Sequence, residues 1–229
     1  MSRSQADVAF LFDVDNTLLD NDQVTDEMKG NLDREVGTDR AQHYWSIFEE
    51  LRNELGYADY LGALQRFRDS YPHDPCLLEV SHFLLNYPFA DRLFSSALEV
   101  IEHVGQWGPT VLLTDGDVVF QPRKVERSGL FDAVSGHVLV YVHKEKELGD
   151  VAERYPAKHY VLIDDKLRIL AAIKDAWGPR VTTVFVRQGH YALDQEAVLR
   201  YQKADVTIDR IEDLLNFNQT ELTRNRDAA

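Results

Sequence analysis

The chain has one cysteine, Cys76, among its 229 residues. A lone cysteine excludes an internal disulfide framework and any cysteine-cluster zinc site, and it fits a reducing compartment. Nowhere does an uncharged apolar run approach the ~18 residues of a membrane span. The first candidate, Val8 to Phe12, is cut off by Asp13. Neither a secretory h-region nor a transmembrane helix is expected, and the sequence predicts a soluble cytoplasmic protein with no membrane partner. Positive charge is also scarce. Against 39 Asp and Glu stand 25 Lys and Arg, a formal net charge of −14. That field repels a phosphate backbone, so no nucleic-acid partner is expected, and any phosphate site must carry its own local positive charge. Internal repeats and low-complexity tracts are missing too.

Apolar residues are plentiful: 44% of the chain, with 10% aromatic, a balance able to bury a real core. The length corresponds to roughly one and a half domains, one full unit plus a smaller insertion. Four continuous apolar runs recur: Val8 to Phe12, Thr110 to Leu113, Tyr160 to Ile163 and Val181 to Val186. They are rich in β-branched, aromatic and leucine residues and do not alternate, as suits strands buried on both faces of a parallel sheet. Helical patterns lie between them, over Leu93 to Val104, Phe120 to Ser128, Leu148 to Tyr155 and Leu167 to Trp177. Gly105, Gly129, Pro156 and Gly178-Pro179 mark their ends,. A last run, Ala204 to Ile208, precedes the helical Ile211-Leu214-Leu215 stretch. The fold predicted is α/β, a doubly wound, Rossmann-like parallel sheet.

The stretch from Asp20 to Asp91 departs from this alternation. Phe48, Leu51 and Leu55 keep a three-four spacing, as do Tyr57, Leu61, Leu64, Phe67 and Tyr71, and then Leu77, Val80 and Leu84. Each set is one apolar stripe of an amphipathic helix. The sequence thus predicts an all-helical cap, residues 20–91, inserted into a core made of residues 1–19 and 92–229. The polar tail from Asn218 to Ala229 is expected to fray.

Ligands of an open parallel sheet bind at the carboxyl ends of its strands. There the runs end in Asp13-Val14-Asp15-Asn16-Thr17, in Thr114-Asp115-Gly116-Asp117 and in Asp164-Asp165-Lys166. A single aspartate after a strand is commonly an Asx turn or a helix cap. The coincidence of several points further. Asp13, Asp15, Asp164 and Asp165 in one crevice cannot all stay ionised unless something positive lies among them. A hard divalent cation with oxygen ligands meets that need, magnesium being the usual choice.

These residues resemble the motifs of the haloacid dehalogenase superfamily of phosphohydrolases. Its first motif, two aspartates flanking one residue and then a threonine after one more, matches Asp13-Val14-Asp15-Asn16-Thr17. The second, an apolar strand closed by serine or threonine, matches Val111 to Thr114. The fourth, an acidic pair closing a strand, matches Val161 to Asp165. The family's remaining motif is a lysine between these last two; Lys144 is the first choice, then Lys146 and Lys124. The order agrees, and the helical insertion falls where members with a small helical cap carry theirs.

The resemblance implies phosphoryl transfer from a small phosphorylated substrate through an aspartyl phosphate. Asp13 is the implied nucleophile and Asp15 the acid and base. Thr114 and Lys144 would bind the phosphate. Mg2+ would be held by Asp13, Asp165 and Asp164, with the backbone carbonyl of Asp15 completing the set. Dehalogenases of the superfamily lack the acid at the position of Asp15, since a departing halide needs no proton. A phosphonatase would need a cap lysine, and Lys29 lies too near the first motif to serve. A phosphomutase sharing these residues and a catalytically idle binding module are the alternatives. Candidates for the substrate-facing surface are His43-Tyr44-Trp45, Tyr57, Tyr60 and, after the strand ending at Val186, His190.

Overall fold

The computed structural model describes residues 5–223. Six strands form one parallel sheet: β1 Ala6–Phe12, β2 Thr110–Asp115, β3 Val138–Tyr141, β4 Ala157–Asp164, β5 Val181–Val186 and β6 Val206–Ile208. Their order across the sheet is β3-β2-β1-β4-β5-β6, the doubly wound arrangement. Side chains of successive strand residues point to opposite faces. Val8, Phe10 and Phe12 therefore enter one apolar core, and Ala9 and Leu11 enter the other. Val161 and Ile163 go with the first set, Tyr160 and Leu162 with the second. Burial on both faces explains why these runs read as continuously apolar.

Four α-helices follow β1 within the stretch of residues 20–91: α1 Asn21–Val36, α2 Thr38–Leu55, α3 Tyr60–Ser70 and α4 Leu77–Asn86. Their buried stripes, among them Val24, Met28, Tyr44, Phe48, Phe67 and Leu84, join the core on the Phe10 face of the sheet. The connections are set locally. Gly56 ends α2 in the left-handed conformation, and Asp59 opens α3 by accepting a hydrogen bond from the Gly62 amide at 2.7 Å. Tyr57 thus lies in a connection between helices and outside the stripe predicted to contain it. The remaining helices are α5 Ala97–Gly105, α6 Phe120–Arg127, α7 Leu130–Ala133, α8 Leu148–Arg154, α9 Leu167–Trp177, α10 Gly189–Leu193, α11 Gln195–Arg200 and α12 Gln219–Thr223.

Two further expectations are corrected, and one strand is new. α5 starts at Ala97 because Leu93 is extended and bridges Leu19 in antiparallel fashion. The described part of the tail forms α12, which buries Leu222 completely; the rest of the predicted fraying segment lies outside the described residues. β3 was not anticipated. It is a four-residue edge strand, only Leu139 of which is buried, and so it lacks the long apolar run of its neighbours. No helix among the described residues is long and apolar enough to cross a membrane.

Candidate active site

β1 pairs with β2 on one side and β4 on the other, with Phe12 level with Leu112 and Ile163. The Asp13 amide donates to the Ile163 carbonyl at 2.9 Å, which sets Asp13 beside Asp164 at the strand ends. One carboxylate oxygen from each of Asp13, Asp164 and Asp165 lies within 4.8 Å of the other two, and all three residues are buried. Like charges at that spacing need a cation.

Lys144 supplies one positive charge. It follows β3 in a 3-10 turn, Lys144–Lys146, and is fully buried. Its Nζ lies 2.5 Å from Asp13 Oδ1 and 2.7 Å from Asp164 Oδ2, and donates to the Leu113 carbonyl at 3.2 Å. Its amide donates to Asp115 Oδ1 at 2.8 Å. Burial pulls the Lys144 pKa down, but the Asp13, Asp164 and Asp115 carboxylates outweigh it and hold the ammonium above the ordinary lysine range,. Burial, only partly offset by Lys144, pushes the Asp115 carboxyl up to about 6. Of the three candidate lysines, Lys144 meets Asp13, Lys124 meets Asp15, and Lys146 is exposed.

One ammonium does not complete the cluster. Among the described residues, both buried carboxylate oxygens of Asp165 have no hydrogen-bond partner, and Asp164 Oδ2 has its ion pair with Lys144 alone. Burial raises the carboxyl pKa values of Asp164 and Asp165. Partnerless buried carboxylate oxygens are costly unless protonated or bound to an ion. Hard oxygens converging on one point suit a small hard dication such as Mg2+. The residues present fit the metal that the resemblance implies.

Asp15 is placed differently from the other three acids. Its Oδ1 accepts from Lys124 Nζ at 2.6 Å, and its Oδ2 lies 3.3 Å from Gln121 Nε2. The same Gln121 amide donates to Thr114 Oγ1 at 2.9 Å. The carboxylate of Asp15 thus lies outside the cluster of Asp13, Asp164 and Asp165, against the expectation that would place it among the metal ligands. The turn that separates Asp13 from Asp15 is local. Asn16 takes a left-handed φ of 62°, which asparagine tolerates,. The Leu18 and Leu19 amides both donate to the Val14 carbonyl at 3.0 Å. Asn16 Oδ1 then accepts from the Asn21 and Asp22 amides, tying the turn to the start of α1. Thr17 Oγ1 donates to Asp13 Oδ2 at 3.3 Å.

Above this floor opens a cleft of about 860 Å³ between the strand ends and the inserted helices, lined by Asp15, Trp45, Tyr57, Tyr60, Lys166 and His190 among others. Burial lifts the Tyr60 phenol to about 12. Tyr44 is core, its hydroxyl donating to the Tyr60 carbonyl at 2.8 Å, and His43 packs on Phe67 and Tyr71 away from the cleft. Lys29, expected to lie too near the first motif to serve as a phosphonatase's cap lysine, lines the cleft, 3.5 Å from Asp26. His190 pairs with Asp22 of α1 at 2.5 Å. Sequence reasoning missed the roles of Gln121 and Lys124 as partners of Asp15. Their spacing of three on the predicted helix from Phe120 was the available signal.

A doubly wound parallel sheet with an acidic, lysine-bridged centre at its topological switch point defines the class: an α/β protein with a small-molecule site at its strand ends. Among solved structures, a haloacid dehalogenase-like hydrolase from Burkholderia xenovorans LB400 is 58% identical. That match covers 93% of this chain and 99% of that one, with a TM-score of 0.88. The HAD-hydrolase YfnB from Bacillus subtilis, bound to magnesium, shares the fold at 17% identity and a TM-score of 0.60, over 93% and 100% of the two chains. L-2-haloacid dehalogenase from Xanthobacter autotrophicus does so at 17% and 0.58, over 91% and 96%. No protein-family model and no curated protein sequence matches the chain. The chain belongs to the haloacid dehalogenase-like hydrolase family.

Proposed function

We propose that this hydrolase is a magnesium-dependent phosphomonoesterase acting on a small phosphorylated metabolite through an aspartyl phosphate on Asp13. The observation that carries the reading is Asp15, an acid two residues beyond Asp13 with its carboxylate on the cleft wall. A departing alkoxide needs a proton, whereas a departing halide does not.

In this reading Asp13 attacks phosphorus in line. Asp15 gives its proton to the leaving oxygen and then takes one from the water that hydrolyses the acyl phosphate. Because Gln121 donates to Thr114 Oγ1, the threonine hydroxyl proton is left to donate to a phosphoryl oxygen. Lys144 offsets charge on Asp13 and the phosphoryl group. Magnesium, held by Asp13, Asp164, Asp165 and the Asp15 backbone carbonyl, would neutralise phosphoryl charge when bound. These local cations reconcile an anionic substrate with a net charge of −14, since exposed charges more than ~8 Å away are screened at physiological salt. Residues 20–91 act as a cap whose α1–α3 face closes the cleft and selects the substrate. A cytoplasmic setting accords with the lone free cysteine,.

The test is phosphate release from p-nitrophenyl phosphate, with magnesium and then with chelator, beside halide release from L-2-chloropropionate. Magnesium-dependent phosphate release, abolished by Asp13→Asn with the circular dichroism unchanged, and no halide release is the expected result. Halide release without phosphatase activity, or turnover that survives Asp13→Asn, overturns the reading.

A further inference from the structure

Lys124 is 1% exposed, and its ammonium ends 2.6 Å from Asp15 Oδ1 and 2.8 Å from Asn21 Oδ1. One helical turn earlier, Gln121 Nε2 faces Asp15 Oδ2 at 3.3 Å. Positions three apart share a helix face, so α6 presents both donors together to a single carboxylate. A lysine this buried is weak evidence of a stabilising role, because a well-packed apolar side chain of similar volume commonly serves stability as well. Its place is more informative. Among the described residues its hydrogen-bond acceptors are Asp15, at the cleft, and Asn21, the first residue of α1.

We infer that Lys124 is a positioning residue for Asp15 and that it ties the acid's orientation, through Asn21, to the first turn of the inserted helix α1. This rests on the reading of Asp15 as the general acid and base. A free aspartate side chain rotates about two torsions, and an acid displaced by ~1 Å can lose ~10²-fold in rate. With Oδ1 gripped at short range by Lys124, the carboxylate keeps one rotamer. Oδ2, more loosely held by Gln121, is the oxygen that passes the proton to the leaving group. Asn21 holds the same ammonium from the other side. A shift of α1 relative to α6 therefore loosens the grip on Asp15, so the acid is aligned when the start of the cap is seated. The Thr114–Gln121–Asp15–Lys124–Asn21 chain of contacts thereby links the phosphate-facing strand end to the cap.

The experiment compares p-nitrophenyl phosphate, whose leaving group departs readily without a proton, with phenyl phosphate, whose leaving group needs one. Lys124→Met, Lys124→Arg, Asn21→Ala and, as reference, Asp15→Asn are assayed as full chains with magnesium, with thermal unfolding run in parallel. General acid catalysis is worth ~10²–10⁴-fold, and a displaced acid forfeits part of that. Lys124→Met should lose at least ~10-fold in kcat on phenyl phosphate and under ~3-fold on p-nitrophenyl phosphate, with KM little changed. Lys124→Arg should recover most of the loss. Asn21→Ala should show the same leaving-group pattern in weaker form, and it carries the test if Lys124→Met fails to fold. Equal losses on both substrates in Lys124→Met and Asn21→Ala, or no loss in either, overturn the inference. If Asp15→Asn itself shows no leaving-group dependence, the reading of Asp15 as acid fails; if Asp15→Asn shows it and the other two do not, only the positioning role fails.

Discussion

Replacing Lys144 by methionine removes the ammonium that sits 2.5 Å from Asp13 and 2.7 Å from Asp164, while keeping an unbranched chain of similar length. Two buried carboxylates then face each other, with Asp165 alongside, and lose the lysine that pairs with both. Breaking a buried pair by deleting one partner costs about 3–5 kcal/mol. For a protein of this size about 1 kcal/mol moves the melting temperature by ~2–4 °C, so the variant should melt ~6–20 °C below the wild type at pH 8 in chelator. The sign of the pH effect follows from the carboxyls. The pKa values of Asp164 and Asp165 are raised in the folded state, and removal of Lys144 raises them further. The extra cost is therefore present where these groups would be ionised and shrinks as pH falls and they take up protons. Magnesium should restore part of the loss at pH 8, since a ligand at 100 times its Kd adds about 2.7 kcal/mol. Thermal unfolding followed by circular dichroism at pH 5.5 and 8, with and without magnesium, reads all three effects. A change under about 2 °C at pH 8, or the same drop at both pH values, would refute the assignment of Lys144 as the counter-ion of the acidic cluster.

In wild type with chelator, the melting temperature should fall as pH rises from 4 to 7. The Asp115 carboxyl, raised to about 6, contributes stability that is complete below its ordinary range and is lost as pH passes 6; saturating magnesium should flatten the slope, and a slope unchanged by magnesium would contradict it. Asp165→Asn should melt higher than wild type in chelator at pH 8, because it removes a buried charge whose oxygens have no hydrogen-bond partner among the described residues, and should lose the magnesium-dependent gain; retention of that gain would remove Asp165 from the ligand set. Gly189 has a φ of +71°, and a Cβ there would lie 2.5 Å from the Cβ of Asn16. Gly189→Ala should therefore cost about 1–3 kcal/mol and lower kcat by disturbing the turn that carries Asp15, and a neutral outcome in both melting and activity assays would show that the loop gives way freely.

How much of this was legible in the sequence depended on burial. Strands buried on both faces left continuous apolar runs, so β1, β2, β4 and β5 could be read directly, and α9 falls on its predicted limits, Leu167–Trp177. β3 could not be, because an edge strand with one buried residue leaves no such run. The strand-end rule placed Asp13, Asp164 and Asp165 together, since parallel register alone brings them level. It could not place the carboxylate of Asp15. That depends on a tight turn through Asn16 and on two donors from α6, more than a hundred residues away. Tyr57 read both as an apolar position of a stripe and as a candidate for the substrate-facing surface; Gly56 and the Asp59 cap take it out of the helix and put it in a connection that faces the cleft. Local periodicity carries no information about which helix partner a polar side chain will find, and those long-range polar contacts are where the site's detail resides.

The central claim is that Asp13, set among buried acids at the strand ends, forms a covalent bond to the phosphoryl group. Acid quench of the magnesium-loaded protein during turnover of p-nitrophenyl phosphate, followed by mass mapping of peptides, tests it most directly. A phosphoryl group on the peptide containing Asp13, absent with chelator and absent in Asp13→Asn, is the predicted result. A phosphoryl group on any other residue, or turnover of the same sample with none trapped on Asp13 under quench conditions that preserve acyl phosphates, would contradict it.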